Sequence, residues 1–414
     1  LWELSGHQFG IKPDVEEHCY APMDRLIERK DKIEKKLAKK HLQDGCIVLY
    51  DMTNTWVEGE YKNSEIAVYG GKPKGGKKGY KTIAIGLITN KDGCPVGVEI
   101  FKGSTSDQTT VLGEVKKLSN KYGLKDIVFT GDRGMLTQKR IEEVNAESFN
   151  TVTALTHPRI NSLIKSENIK KEDFKEAAFK EIVDSNNEEV RYILCKSRKT
   201  MLKERTTRKS MISSVKEKLA SKAKVKQKRD TLKVAASVGR IFQKYKIEKF
   251  FEWEVDNRGG LKWSLKKDVI EKESSLDGCY IIRTDTPKEK LNAKEIVLTY
   301  RNLQKVEQAF RNLKTVLLEL RPLYHKTDER IKSHIFIVSL AYYLQWHAMQ
   351  RLKPLFDSDG KYKEKRWNIS IIIERLKSIR KVENLINSVV VKTNISKPDN
   401  EQELILNLLK VKLE

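Results

Sequence analysis

The segment Cys46-Ile-Val-Leu-Tyr-Asp51 indicates the fold class, because it is a short apolar run that ends on an acid. Such a run, without polar alternation, is typical of a strand that is buried on both faces of a sheet. A second segment, Asp126-Ile-Val-Phe-Thr-Gly-Asp132, has the same form. The two segments therefore predict two buried strands, each ending on a carboxylate.

The residues around these two segments complete an alternating block. Apolar runs at 82–89 and 96–101 predict two further strands, and Asn90-Lys-Asp-Gly93 between them predicts a hairpin turn. Periodicity predicts the rest of the block, with helices over 107–120 and 137–146 and a strand over 151–156. The order β-β-β-α-β-α-β indicates an α/β fold with a mixed sheet flanked by helices.

The chain is strongly basic. Its 414 residues contain 81 Lys and Arg against 57 Asp and Glu, a formal net charge of +24. This excess favours a polyanionic partner, most often nucleic acid. Residues 196–249 hold 19 Lys and Arg against four acids, which favours contact with phosphates over a merely solvated helix. The Gly- and Lys-rich loop Gly70–Gly79 either contacts a DNA backbone or is a flexible hairpin; it lacks the P-loop pattern.

Cysteine and histidine usage excludes some classes of protein. The five cysteines are far apart, odd in number and without a C-x-x-C pair, which disfavours a disulfide scaffold and a thiolate zinc ribbon. The four histidines at 157, 325, 334 and 347 do not form a convincing metal set. The longest apolar stretch, 335–344, is too short to cross a bilayer, and no secretory signal is visible. We therefore expect a cytoplasmic protein that associates with the nucleoid.

Three acids are the candidate catalytic residues. A carboxylate at the end of a buried strand is costly unless it is paired or binds a cation, so Asp51 and Asp132 are candidates to share Mg²⁺. A helix predicted over 293–318 carries Glu307 on its apolar face, seven residues from both Tyr300 and Lys314. Glu307 is therefore expected to point inward and complete the site. The alternatives are turn or cap roles for the two Asp and an ion pair between Glu307 and Arg311.

Several blocks, in order over about residues 46–350, carry a family resemblance. They are Leu49-Tyr-Asp-Met-Thr-Asn54, Asp92-Gly-Cys-Pro-Val-Gly97, Phe101-Lys-Gly-Ser-Thr-Ser-Asp107, Thr130-Gly-Asp-Arg-Gly-Met135, Tyr300–Lys314, Arg321-Pro-Leu-Tyr-His325 and Ile331-Lys-Ser-His334. The chain resembles the DDE transposases of bacterial and archaeal insertion sequences that carry a Tyr-Arg-Glu-Lys (YREK) signature. The resemblance implies an RNase H-like catalytic core with a mixed helical and β insertion between the second Asp and the Glu.

The resemblance also implies roles for particular residues. Asp51, Asp132 and Glu307 match the metal-binding catalytic triad, with two Mg²⁺ or Mn²⁺ ions expected per active site. Residues expected to contact DNA are Tyr300, Arg301, Lys314, Arg133 and Arg311. The signature's Arg position is occupied by Leu303, so Arg301 is expected to substitute for it. Arg133 has an ion pair with Asp132 as its alternative role, Tyr300 a place in the core, and Lys314 a solvated position.

The implied organisation has five parts. They are an N-terminal helical segment (1–45), the first part of the catalytic core (46–158), the insertion (159–285), the second part of the core with Glu307 (286–350) and a C-terminal helical tail (351–414). Since the chain opens on Leu1, the first part is expected to be a truncated remnant of an end-binding region.

The implied function is that of a DNA transposase. Such a protein binds the terminal inverted repeats of its element and target DNA as double strands, acts as a homodimer, and carries out metal-dependent strand cleavage and strand transfer. Two alternatives stay open: an inactive DNA-binding remnant, and an RNase H-like metal-dependent nuclease of another pathway.

Overall fold

The chain divides into two compact units. The structure is a computed structural model, and it describes residues 14–70, 79–166, 168–174, 179–224, 227, 230–314, 317–357, 360, 362, 366–386 and 389–413. Unit 1 comprises Leu1–Gly131, Thr137–Phe149 and Asn302–Glu414, and unit 2 comprises Asp132–Leu136 and Asn150–Arg301. Of the Gly70–Gly79 loop, residues 71–78 lie outside the described ranges.

Unit 1 contains four strands of mixed direction. They are β1 (Cys46–Trp56), β2 (Thr82–Asn90), β3 (Pro95–Lys102) and β4 (Ile127–Thr130), in the spatial order β3-β2-β1-β4. The β1–β2 and β2–β3 pairs are antiparallel, and the β1–β4 pair is parallel. All four strands form where the apolar runs predict them. Burial on both faces explains why these runs show no polar alternation.

The turn between β2 and β3 is the predicted hairpin. The side-chain Oδ1 of Asn90 accepts hydrogen bonds from the backbone N of Asp92, at 2.9 Å, and of Cys94, at 3.0 Å. Gly93 has a φ of +84°, a value that favours glycine because it has no Cβ. A Cβ there would also lie 2.9 Å from the Cβ of Lys305, so both backbone and space require glycine.

Helices cover the faces of the unit 1 sheet. In chain order they are α1 (Ala21–Glu28), α2 (Lys30–His41), α3 (Asp107–Lys116) and α4 (Gln138–Ala146). After unit 2 the chain continues with α10 (Leu303–Leu313), α11 (Asp328–Arg351), α12 (Lys353–Phe356), α13 (Ile369–Leu376) and α14 (Asn400–Leu409). The apolar side chains of α10 and α11 pack with those of β1 to β3 in one buried cluster.

The C-terminal region differs from its prediction. Besides helices α12 to α14, it contains a two-stranded antiparallel hairpin of β11 (Lys381–Ile386) and β12 (Val389–Ile395). The prediction of a helical tail over 351–414 is therefore wrong in part. The run of β-branched residues that opens β12, Val389-Val-Val391, is typical of a strand.

Unit 2 contains a second set of four strands, all antiparallel to their neighbours. They are β5 (Asn150–Ala154), β6 (Lys180–Asp184), β7 (Asn187–Lys196) and β10 (Cys279–Thr284), in the spatial order β5-β10-β7-β6. Apolar side chains of β7 and β10 pack against α5 (His157–Lys165). The chain therefore enters unit 2 through β5 and returns to that strand's edge through β10.

The remainder of unit 2 is the basic part of the chain. It consists of α6 (Arg198–Ala223), α7 (Thr231–Tyr245), the hairpin β8 (Phe251–Val255) and β9 (Leu261–Leu265), α8 (Lys267–Ser274) and α9 (Ala293–Arg301). Apolar residues such as Val215, Phe242 and Phe251 form a separate buried cluster there. The Lys- and Arg-rich helices thus have an apolar core of their own.

Together the two units contribute eight strands, with parallel and antiparallel neighbours, flanked by helices. The predicted mixed α/β fold class is confirmed, and the arrangement is consistent with an RNase H-like fold. The five predicted domain bounds stay predictions.

Candidate active site

Asp51 lies in the middle of β1 rather than at its end. The parallel ladder with β4 ends at the pair Leu49–Thr130, but the antiparallel ladder with β2 continues from Asp51–Leu87 to Trp56–Thr82. The prediction that this strand ends on its acid is therefore wrong for β1 as a whole. It holds for the edge shared with β4, and that edge is the relevant one for a site near β4.

The two faces of β1 are assigned by their contacts. On one face the hydroxyl of Tyr50 donates to Thr110 Oγ1 at 2.8 Å, and that hydroxyl lies 3.1 Å from the sulfur of Met52. Leu49 belongs instead to the apolar cluster that includes α10 and α11. Since strand side chains alternate between faces, Asp51 takes the α10 side together with Leu49.

The C-terminal end of α10 is joined to β1 by a lysine. Lys314 Nζ donates to Thr53 Oγ1 at 2.7 Å and to the carbonyl oxygen of Asn54 at 3.3 Å. The Thr53 side chain is buried, whereas Lys314 is half-buried. Thr53 is two residues beyond Asp51 on the same face of β1, so Lys314 anchors the helix that carries Glu307 beside the Asp51 strand.

Glu307 is placed differently from the prediction. The expected single helix over 293–318 is two helices, α9 and α10, separated at Asn302 and assigned to different units. Periodicity therefore does not place Tyr300 and Glu307 on one helical face. Glu307 is exposed on α10, so the expectation of an inward-pointing side chain is wrong. In the described part of the chain it has no ion pair with Arg311 either.

Asp132 opens a tight turn in unit 2. Its carbonyl oxygen accepts hydrogen bonds from the backbone N of Met135, at 2.9 Å, and of Leu136, at 3.2 Å. Its side-chain Oδ1 accepts from the backbone N of Arg133, at 2.8 Å, and from the hydroxyl of Tyr300, at 3.3 Å. The carboxylate is exposed, so two donors hold its orientation while it remains accessible.

Tyr300 and Arg301 are adjacent on α9 but have different partners. Burial and the nearby charge of Asp132 raise the pKa of Tyr300 well above its usual value, so its hydroxyl stays protonated and donates. The exposed Arg301 donates from Nη2 to the hydroxyl of Tyr280, at 3.3 Å. Arg133 and Arg311 are also exposed. In the described chain no ion pair joins the Arg133 guanidinium to Asp132, so their contact is through the backbone.

A different trio of potential metal ligands was missed by the sequence. Among the described residues, one donor from each of His41, Cys94 and His347 lies within 4.8 Å of the others. No spacing motif connects the three positions, and His347 had been considered only with other histidines. Nothing short of the tertiary structure could have selected this set.

The comparisons with known proteins identify the family. The family model described as "Transposase DDE domain" matches residues 43–344 of the 414. The chain belongs to this family of transposases, as the sequence blocks predicted. The finer YREK signature and the roles of individual site residues stay predictions.

Other comparisons give less. Among solved structures, the chain is similar to a piggyBac transposase, seen by cryo-electron microscopy in a synaptic complex with hairpin DNA. The identity is 8% and the TM-score 0.39, over 74% of this chain and 49% of that one, so the chain spans about half the length of that transposase. A comparison with curated proteins finds no match. In the described part of the chain, no helix is long and apolar enough to cross a membrane.

Proposed function

We propose that this protein is a DNA transposase that binds the terminal inverted repeats of an insertion sequence and cuts and joins DNA strands with divalent metal. Asp51, Asp132 and Glu307 are its proposed catalytic triad. Its partners are double-stranded transposon ends and target DNA, bound by a homodimer at the nucleoid in the cytoplasm.

The register of β1 and β4 is the observation that carries the proposal. Leu49 pairs with Thr130 in the parallel ladder, and Asp51 and Asp132 each follow that pair by two residues. Parallel neighbours lie about 4.8 Å apart, and Asp132 is joined to Gly131 of β4's own unit by a single peptide bond. The covalent chain therefore keeps both acids near the same end of this ladder.

Glu307 enters through α10. This helix packs on the Leu49 face of β1, which is also the face that Asp51 takes, and Lys314 fastens it to Thr53. An exposed Glu without an ion pair is available to a ligand, in contrast to one already neutralised by Arg311. The two elements of unit 1 thus supply two of the proposed acids.

The donor set fits hard divalent cations. All three proposed ligands are carboxylates, the oxygen donors that Mg²⁺ and Mn²⁺ prefer. Asp132 and Glu307 are exposed and Asp51 is half-buried, so each can be reached from solvent. Two bound ions would activate the attacking oxygen and stabilise the leaving oxygen of an in-line phosphodiester displacement.

The remaining residues are proposed to orient the triad and the DNA. The Tyr300 hydroxyl holds the Asp132 carboxylate, and Lys314 holds α10 on β1. The exposed guanidinium groups of Arg133, Arg301 and Arg311 are proposed to contact phosphates, which position a duplex without reading its sequence. Water first attacks the phosphodiester at the element end and leaves a 3′-hydroxyl. That hydroxyl then attacks target DNA.

A strand-nicking assay tests the proposal. The purified chain is mixed with Mg²⁺ or Mn²⁺ and an end-labelled duplex carrying the inverted repeat that borders its coding sequence. We expect nicking at the repeat by the wild type, and at least a ~1,000-fold loss in Asp132→Asn and in Glu307→Gln, since each removes a charged ligand. Asp268→Asn, which removes the same charge from the exposed face of α8, should cut like the wild type.

Three outcomes separate the alternatives. Equal nicking by wild type and Asp132→Asn rejects the proposed triad. Repeat binding without metal-dependent cleavage favours the inactive remnant. Cleavage of many unrelated duplexes without joining of ends favours a nuclease of another pathway.

A further inference from the structure

Three segments of unit 1 meet at one trio of side chains, far from each other in sequence. His41 is the last residue of α2, Cys94 lies in the β2–β3 turn, and His347 is near the end of α11. One donor atom from each lies within 4.8 Å of the other two. These residues take no part in the proposed DNA chemistry.

His347 is the member that most requires a ligand. Its Nε2 is buried and has no hydrogen-bond partner in the described structure. A buried polar atom without a partner costs about 1–3 kcal/mol, so such atoms in folded proteins usually face water, an ion or a ligand. The ring is also held by its neighbours, with Tyr343 at 4.5 Å and Trp346 at 5.0 Å between ring centroids. Its orientation is therefore fixed before any ligand binds.

The protonation states suit metal ligation. Burial lowers the pKa of both His41 and His347 below the usual value, which keeps the imidazoles neutral near pH 7. Burial raises the pKa of the Cys94 thiol to about 12. The charge of Lys40 acts on all three groups and favours the deprotonated form of each. A cation bound at the sulfur would complete the deprotonation of Cys94.

We propose that His41, Cys94 and His347 form a binding site for a zinc-class divalent metal. Two imidazoles and one thiolate are the donors that Zn²⁺ prefers, whereas Mg²⁺ prefers oxygen. Tetrahedral Zn²⁺ with bonds of about 2.0–2.3 Å places its ligand atoms about 3.5 Å apart. Small side-chain rotations close the present separations to that value, and water takes the fourth position.

The consequence of this site is a link between secondary-structure elements. The metal joins the end of α2, the β2–β3 turn and α11, which otherwise meet through side-chain packing and individual hydrogen bonds. His41 has one such bond, with Nε2 2.9 Å from the hydroxyl of Tyr343. Because the metal binds the folded chain, it raises thermal stability by mass action.

Cobalt substitution of the full chain tests the site. Co²⁺ bound through a cysteine gives a thiolate-to-metal absorption band that carboxylate ligands do not give. We expect this band to saturate at one equivalent of Co²⁺ per chain and to be abolished by added Zn²⁺. Metal analysis after dialysis should find one Zn²⁺ per chain, and the melting temperature should rise with Zn²⁺ but not with Mg²⁺.

Variants locate the metal. Cys94→Ser should lose the band, and His347→Gln should weaken Zn²⁺ binding more than ~100-fold, since even changes outside the ligand shell reach that size. Cys19→Ser and His157→Gln change the same residue types elsewhere and should bind as the wild type. Asp51→Asn should also keep the band, which separates this site from the proposed active site.

The proposal is overturned if wild-type chain gives no thiolate band and retains no Zn²⁺. It is equally overturned if His347→Gln, with an unchanged circular dichroism spectrum, binds Zn²⁺ like the wild type. The His347→Gln result decides the question even if Cys94→Ser fails to fold, because Cys94 is fully buried whereas His347 is half-buried.

Discussion

Glu34 on α2 should be one of the most sensitive positions in unit 1. Its carboxylate has no exposed surface, and it accepts hydrogen bonds from the backbone N of Val98 on β3, at 2.9 Å, and from Tyr122, at 3.2 Å. It also forms ion pairs with Lys117, at 2.7 Å, and Lys30, at 3.3 Å. We predict that Glu34→Gln strongly lowers the free energy of unfolding.

The magnitude follows from the charges of the cluster. Two ammonium groups, of Lys30 and Lys117, face two carboxylates, of Glu34 and Glu99. Burial alone would lower the pKa of Lys117, but Glu34 more than offsets it and the pKa lies above its usual range. Glu34→Gln keeps the acceptor for Val98 but leaves one buried positive charge uncompensated. Breaking a buried pair in this way costs about 3–5 kcal/mol, and the remaining Glu99 places the expected loss near ~3 kcal/mol.

Urea unfolding followed by circular dichroism measures this loss. Asp31→Asn is the matched control on the same helix, because Asp31 pairs with Lys121 at 2.8 Å with both side chains more than half exposed. That exposed pair should contribute less than about 1 kcal/mol. In a double-mutant cycle, Glu34→Gln and Lys117→Met should couple by about 1–3 kcal/mol. If Glu34→Gln unfolds like Asp31→Asn, or the two changes are additive, the reasoning about the cluster is refuted.

Three further predictions concern pH, the active site and DNA. Burial raises the pKa of Glu114 from 4.5 to about 7, so the folded state holds this proton more tightly and stability is lost as pH rises from about 5 to 8. Urea titrations at both pH values should show a fall in the wild type that is up to about 3 kcal/mol larger than in Glu114→Gln. Tyr300→Phe removes a donor to Asp132 and should slow nicking about 5- to 10-fold, with stability within about 1 kcal/mol of wild type, as measured by single-turnover cleavage and urea unfolding. The net charge of +24 predicts that the logarithm of the DNA association constant falls with the logarithm of salt concentration with a slope of about −5, for roughly six phosphate contacts, as measured by fluorescence anisotropy.

Each of these predictions has a control and a contrary result. Glu217→Gln removes an exposed helical acid and should keep the wild-type pH dependence, and an unchanged pH profile in Glu114→Gln would contradict the assignment. Tyr280→Phe, at a tyrosine that contacts Arg301 rather than Asp132, should cut faster than Tyr300→Phe. A salt slope near zero would show that the positive charge does not contact phosphate.

Much of the fold could be predicted from the sequence because its strands are locally specified. β1 to β4 and the hairpin turn at Asn90 formed where apolar runs and turn residues indicated, since burial on both faces requires unbroken apolar segments. The family followed from several short blocks in order, whose chemistry resides in single residues rather than in packing. The DNA-binding class was suggested by charge alone.

Packing decided the features that local patterns do not record. The helix carrying Tyr300 ends before the one carrying Glu307 begins, because the two belong to units with separate apolar cores. Periodicity reads only one helix at a time and predicted a continuous face. In the same way, β1 runs past Asp51 because its partner β2 continues, which no residue within β1 announces.

The sequence by itself determined which acids, strands and charges this protein has, because those depend on residue type and short-range order. The tertiary structure alone decided which distant side chains meet: Lys314 with Thr53, Tyr300 with Asp132, and His41 with Cys94 and His347. The physical reason is that such contacts join segments separated by tens to hundreds of residues. Their positions are set by how whole elements pack, and not by any pattern within one of them.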